Sequence, residues 1–324
     1  MAKSLICVKA EDLMDKRGKI YIAGHRGMVG SAVVRCLQMK DFENLIFRSS
    51  SELDLTRQAD VERFFEAERP EYVFLAAALV GGILANSTYR AEFIYTNLQI
   101  QTNVIHTAWK TDVKKLLFFS SSCVYPRMCP QPMKEEYLMT GSLENTNEPY
   151  AMAKLSGMSM CRAYNEQYNT KFISVIPTNL YGPNDNYDIE QSHLIAALIQ
   201  KFHIAKIKNE PQVTLWGTGS PRREIMHVDD AAAASIFLMG NFEGTDPVNI
   251  GWGTDLKITE IADIISTVVG YQGEICFDAN MPDGTPRKLL NMTKLNDLGW
   301  KAKIPLKQGI EKAYQWYLQH AASF

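Results

Sequence analysis

Apolar positions in the first half of the chain follow two alternating rhythms. Short unbroken runs at 19–23, 45–47, 72–75, 116–119 and 172–176 read as strands. All but the last are followed by longer stretches, 28–39, 59–68, 93–109 and 150–168, that read as helices. In the first of these, Val29, Ala32, Val33, Cys36 and Leu37 share one helical face. A strand with no polar face must be covered on both sides. Strand and amphipathic helix in alternation therefore predict an α/β fold with a doubly wound (Rossmann) parallel sheet.

Beyond Pro177 the rhythm weakens. Turn formers cluster at Gly182-Pro183-Asn184-Asp185-Asn186, at 216–221 and at 281–286. Such loops predict a smaller C-terminal substrate-binding domain. The expected division is a loose extension over 1–18, a nucleotide-binding domain over 19–180 to which the chain returns around 222–252, and a substrate domain over most of 181–324.

Composition narrows the class. The chain is 46% hydrophobic and 22% charged, with a formal net charge of −2 and no basic stripe, which argues against nucleic acid as a partner. Lys9, Glu11, Asp12, Asp15, Lys16 and Arg17 interrupt the first residues, leaving no apolar leader. The longest nearly apolar run, 72–85, is too short to cross a bilayer and is split by Gly81 and Gly82. Six scattered cysteines without a CxxC pair fit a reduced cytoplasmic protein with no metal site.

Between the first strand and the first helix lies Gly24-His25-Arg26-Gly27-Met28-Val29-Gly30. Glycines there permit a tight turn and close backbone approach, so that a dinucleotide diphosphate can meet the helix N-terminus. The spacing is GxxGxxG, weak by itself and strengthened by its position after a strand. After the second strand, where an NAD enzyme would place an acid, the chain reads Phe47-Arg48-Ser49-Ser50-Ser51. Arg48 and Arg26 could clamp a 2′-phosphate, which favours NADP(H); both also read as solvated surface residues. Asp54 and Leu55 could border the adenine, although a polar loop residue explains Asp54 equally.

Tyr150 and Lys154 are four apart on one helix face, so that the ammonium can stand near the phenol and lower its pKa. Such a pair can protonate a carbonyl oxygen as hydride arrives. The preceding strand ends in Ser120-Ser121-Ser122, and Ser121 could hydrogen-bond the same oxygen.

Together these motifs resemble the extended short-chain dehydrogenases/reductases. More closely, the glycine loop, Ser121-Ser122-Cys123-Val124-Tyr125-Pro126, Asn147-Glu148-Pro149-Tyr150-Ala151, Pro177-Thr178-Asn179-Leu180-Tyr181-Gly182-Pro183 and Pro282-Asp283-Gly284-Thr285-Pro286-Arg287-Lys288 resemble the GDP-L-fucose synthase family. The resemblance begins near Lys19 and implies NADPH-dependent 3,5-epimerisation and 4-reduction of a GDP-linked 4-keto-6-deoxyhexose. A ketone at C4 acidifies the hydrogens on C3 and C5, so one acid and one base can invert both centres. The resemblance places Cys123 and His193 in those roles, and their ordinary pKa values of about 8.5 and about 6.5 bracket neutrality. Taken alone, the first reads as a small buried hydrophobe and the second as a polar residue in a first helical turn.

The resemblance further assigns Ala76, Ala77, Pro177, Asn179, Leu180 and His193 to the cofactor, beside the glycine loop, Tyr150 and Lys154. It assigns Ser122, Cys123, Lys201, Trp216, Arg223 and Asp283 to the GDP-sugar. Lys201 stands where bacterial members carry arginine, and it loses bidentate pairing. The absence of an acid beside Ser121 and Cys123 disfavours a dehydratase. A homodimer through the helices at 93–109 and 150–168 is also implied, though core burial would explain the apolar Ile94, Leu98, Ile100, Val104 and Ile105 equally well. A catalytically silent NADP-binding sensor is the competing class.

Overall fold

In the computed structural model, which describes residues 14–188, 192–281 and 283–320, the apolar runs become β1 (Ile20–Ala23), β2 (Leu45–Ile46), β3 (Tyr72–Leu75), β4 (Lys115–Phe119) and β5 (Phe172–Pro177). Between them run α1 (Met28–Gln38), α2 (Gln58–Glu68), α3 (Ile83–Thr88), α4 (Arg90–Lys110) and α5 (Glu148–Tyr168). The rest of the chain forms β6 (Asn179–Tyr181), α6 (Leu194–Lys208), β7 (Gln212–Trp216), β8 (Arg222–His227), α7 (Val228–Asn241) and β9 (Val248–Ile250). It ends with β10 (Asp255–Lys257), α8 (Ile258–Val269), β11 (Glu274–Asp278), β12 (Arg287–Lys288), α9 (Thr293–Asp297) and α10 (Leu306–His320).

One six-stranded sheet, ordered β2-β1-β3-β4-β5-β9, pairs in parallel throughout. Its strands are buried on both faces, as their lack of alternation requires. The chain leaves β1 toward β2, then crosses back to β3 on the other side. The crevice beyond Ala23 and Leu75 is thus the switch point where such sheets bind ligands. Helix α3, which the periodicity did not predict, precedes α4; Asn86 Nδ2 donates to the carbonyls of Gly81 and Gly82 at 2.7 and 3.0 Å. Helix α4 buries Phe93, Asn97, Gln101, Val104, Ile105 and Ala108 at helical spacing.

The core is divided. A first cluster covers the large sheet and includes α7, β9 and, later in the chain, Leu290, Met292 and Leu295. A second joins α6, α8 and α10 through Ile199, Phe202, Ile265, Ile310 and Tyr317, with Tyr181 and Tyr187. Each fully buried Leu, Ile or Phe in either cluster contributes about 1.5–3 kcal/mol. Residues 14–18, expected to belong to a loose extension, pack instead: Met14 lies in the first core and the Asp15 N–H donates to the Tyr72 hydroxyl at 3.3 Å. The remainder of that extension, 1–13, lies outside the described residues, as does Pro282 of the last motif. Among the described residues no helix is long and apolar enough to cross a membrane.

Candidate active site

The first glycine of the loop after β1 has φ +84°, and a Cβ on Gly24 would come within 2.7 Å of the Ala77 nitrogen. A Cβ on Gly30 would strike the Gly24 carbonyl. Gly27 caps α1 in extended conformation, and a Cβ there would meet only the Gly24 oxygen, at 3.5 Å. No side chain caps α1, and its first turn carries no acid, so the amides of Met28, Val29 and Gly30 face outward with the positive end of the helix. The Ala76 N–H donates to Ala23 at 3.0 Å and closes the two strand ends together. This cradle fits a dinucleotide diphosphate.

Asn97, unnoticed in the sequence, anchors the loop after β3: its Oδ1 accepts from the Leu79 N–H at 2.9 Å, and its Nδ2 donates to the Leu79 carbonyl at 3.0 Å. An amide in register with the buried face of α4 was the signal available.

On the adenosine side the His25 ring lies 5.1 Å from that of Phe47. Arg48 is already committed, donating to Glu68 Oε1 at 2.5 Å and to the Phe47 carbonyl at 2.7 Å. Arg26 is exposed and makes no ion pair among the described residues. An acid does follow β2: Glu52 accepts from the Ser49 N–H and hydroxyl at 2.7 and 2.6 Å. Those bonds lower its pKa and close a turn. Asp54 is likewise occupied, accepting from Thr56 Oγ1 at 2.7 Å, while the Leu55 carbonyl accepts from Asn103 at 2.9 Å.

Where β4 ends, Ser121 in extended conformation begins a single 3-10 turn (Ser122–Val124), and its hydroxyl accepts from the Cys123 N–H at 3.5 Å. Ser122 and Cys123 are buried. From the first turns of α5, Lys154 sends its ammonium inward to the Phe119 carbonyl at 2.9 Å and 5.7 Å from the Tyr150 ring centre. Burial brings Lys154 down to about 8, opposed by Cys123. The expectation that Lys154 lowers the Tyr150 pKa is corrected by this arrangement. Burial pushes the phenol up, and charge on Cys123 pushes it further, while the ammonium bonds to a carbonyl. Burial also raises the Cys123 thiol, against the Ser121 hydrogen bond and the nearby Lys288 and Lys154. Lys288, half-buried on β12, was not singled out in the sequence, although its charge reaches Cys123.

His193 occupies the cap position of α6. Its Nδ1 lies 3.9 Å from Oδ1 of the buried Asp185, and burial lowers its pKa although about half of its side chain is open to solvent. No hydrogen bond or ion pair among the described residues joins it to the Ser121, Tyr150 and Lys154 group. Pro177 ends β5, Leu180 packs on the first core, and Asn179 Nδ2 donates to the Glu224 carbonyl at 2.9 Å. Glu224, also missed, is fully buried and binds the amides of Gly253 and Leu290 at 2.6 and 2.8 Å, pinning three segments around the cleft.

The wall built by β7 and β8 carries Trp216, 69% exposed at its strand end, and Arg223, whose pKa burial lowers against the pull of Asp283. Asp283 accepts from the Thr218 N–H and hydroxyl at 2.6 and 2.9 Å, so it shapes this wall as well as facing it. Lys201 on α6 donates to the Thr214 carbonyl at 2.5 Å, two residues before Trp216.

Sheet, glycine cradle and Ser-Tyr-Lys group define a dinucleotide-dependent enzyme of the short-chain dehydrogenase/reductase class. Residues 20–251 match the NAD dependent epimerase/dehydratase family, and the chain belongs to it. It is 53% identical over 315 residues to GDP-L-fucose synthase 1 of Arabidopsis thaliana, covering 97% of this chain and 98% of that one. It is 50% identical over 315 residues to GDP-L-fucose synthase of Escherichia coli K12, with 94% and 98% covered. Among solved structures it is similar to the GDP-mannoheptose C4 reductase MlghC from Campylobacter jejuni with NADP bound, at 42% identity and TM-score 0.87, over 94% of this chain and 99% of that one.

Proposed function

We infer that this chain converts GDP-4-keto-6-deoxy-D-mannose to GDP-L-fucose by 3,5-epimerisation and NADPH-dependent 4-reduction, in the cytoplasm and as a homodimer. The observation carrying this reading is the buried thiol of Cys123 on the same turn as Ser121, opposite the Tyr150 and Lys154 pair, in a chain half identical to GDP-L-fucose synthases along nearly its whole length. Reduction at C4 does not require a titratable group there, whereas inversion at C3 and C5 does.

Bound NADPH supplies a hydride to C4. Because burial holds Tyr150 protonated at neutrality, its hydroxyl donates the proton that the C4 oxygen then needs. Ser121 steadies that oxygen, and Lys154 supplies positive charge as the oxygen becomes negative. Before reduction, Cys123 and His193 exchange protons with C3 and C5, which the adjacent ketone acidifies. Ser122 lines the same pocket, and Trp216, Arg223, Asp283 and Lys201 hold the GDP end. Gly24 to Gly30, Ala76, Ala77, Asn179 and Leu180 hold the cofactor, with Arg26 reaching its 2′-phosphate. Exposed Tyr95, Met152 and Tyr168 on α4 and α5 support pairing of two copies through those helices.

The test supplies GDP-4-keto-6-deoxy-D-mannose and NADPH to the purified protein, follows nicotinamide absorbance and separates the products. GDP-L-fucose from the wild type and an unepimerised GDP-6-deoxyhexose from Cys123→Ser are expected. GDP-L-fucose from both at equal rates removes Cys123 from the mechanism, and no NADPH oxidation by the wild type removes the proposed substrate.

A further inference from the structure

Eight residues before His193, the loop after β6 buries a carboxylate for which turn geometry gives no sufficient reason. Asp185 has 4% of its side chain exposed. Its Oδ1 accepts the Asn186 N–H at 2.8 Å, which satisfies the turn. The same Oδ1 faces His193 Nδ1 at 3.9 Å, while Oδ2 is buried with no partner among the described residues. An orphaned carboxylate oxygen inside a protein costs free energy unless something compensates it. The titratable groups facing the carboxylate are His193 at the start of α6 and the Tyr187 phenol of its own loop; no lysine or arginine ion-pairs with it among the described residues.

The loop is fixed from both sides. Asn184 donates to Ser31 on α1 at 2.9 Å, tying it to the helix whose N-terminus cradles the diphosphate. Tyr187 is buried in the second core, 4.8 Å from the ring of Tyr317. The carboxylate therefore stays in place while the half-open histidine ring adjusts to it.

We propose that Asp185 is a positioning residue for His193: its carboxylate selects the tautomer with the proton on Nδ1, leaves Nε2 for the sugar, and stabilises the imidazolium each time the ring takes up a proton. The proposal rests on the acid-base reading of His193. A histidine whose inner nitrogen faces a carboxylate has its orientation and proton position set by that group. At 3.9 Å the contact is wide of a direct hydrogen bond; a small ring rotation closes it, as catalytic contacts tighten when substrate binds. Burial raises the Asp185 carboxyl to about 7 and lowers the His193 imidazole, so burial disfavours the charged form of each group, and each charge gains from the other as the two approach. In each epimerisation the proton removed from carbon is matched by one returned to the opposite face, so the pair ends the cycle as it began.

The test measures solvent deuterium entry at C3 and C5 of GDP-4-keto-6-deoxy-D-mannose by NMR, with NADP+ filling the cofactor site. For Asp185→Asn, exchange should fall at least about tenfold at one or both carbons, and its pH dependence near neutrality should change. NADPH affinity should stay within about twofold, and Asp185→Glu should recover part of the rate. Wild-type exchange and pH profile in Asp185→Asn, with exchange lost in His193→Gln, overturns the role of Asp185 and leaves that of His193. Wild-type exchange in His193→Gln overturns the acid-base reading itself. Should Asp185→Asn fail to bind NADPH through misfolding, the tautomer of His193 in the unmodified protein decides: a proton on Nδ1 is expected, and a neutral ring protonated on Nε2 overturns the proposal.

Discussion

The reductive group and the histidine assigned to epimerisation are built in opposite ways. Ser121 follows directly from β4, and Tyr150 and Lys154 stand in the first two turns of α5, with the ammonium bonded to the strand-end carbonyl of Phe119. His193 caps a helix of the second core and leans toward a loop carboxylate without a hydrogen bond. Transfer to a single carbonyl carbon and oxygen rewards rigid placement, since small misalignment costs large factors in rate. Of the two groups assigned to proton exchange, Cys123 shares the rigid turn of Ser121, and His193 has room to turn.

Removal of the acid on the rigid side breaks this comparison most severely. Tyr150→Phe should lower NADPH oxidation about 10²–10⁴-fold while NADPH binding and deuterium entry at C3 and C5 persist. Loss of exchange together with reduction would mean that the two halves are one machine. The rigid side should also carry its own pH limit. Lys154 titrates at about 8, so its cation is present below that pH and lost above it. Single-turnover reduction should fall about tenfold per pH unit above 8, a limb that His193→Gln leaves in place. A flat profile to pH 9.5 would show that the ammonium is not used.

Stability sharpens the contrast. Asp185 has its folded pKa raised from 3.8 to about 7, so between those values the folded state holds more protons than the unfolded one. Stability is then lost as pH rises from about 4 to 7, and the loss persists above 7. Asp185→Asn should therefore raise stability at pH 8 by roughly 1–4 kcal/mol, read as Tm, while exchange falls. A carboxylate kept only to hold its turn would show the reverse.

What the sequence disclosed divides along the same line. Strand ends and i,i+4 spacing are local properties, so the parallel sheet, the glycine loop and the Ser121, Tyr150 and Lys154 arrangement could be read directly. Asp185 stood in a run of Gly, Pro, Asn and Asp that signals only a turn; its burial arises from α1 on one side and the Tyr187 cluster on the other. Glu224 and Lys288 were hidden for the same reason, since their neighbours come from the segments after β9, β12 and β4. The direction of the Tyr150 pKa was misjudged because spacing placed the lysine near the phenol but could not show the desolvation of the phenol, or the Cys123 charge that adds to it.

The two arginines offered to the 2′-phosphate show how one distant residue can redirect such a reading. Its place after the second strand put Arg48 first and Arg26 beside it, but Glu68, twenty residues further on, holds the Arg48 guanidinium, which also lies 5.4 Å from the Phe64 ring centre. Arg26 sits within the glycine loop without an ion pair among the described residues, so its fork can meet a phosphate without first breaking a bond. Arg26→Ala should raise the Kd for NADPH about tenfold and leave NADH nearly unchanged, whereas Arg48→Ala should act on both cofactors alike and by less. The reverse order would mean that the Glu68 pair opens on binding, and Glu68→Gln would then tighten NADPH by freeing Arg48 in advance.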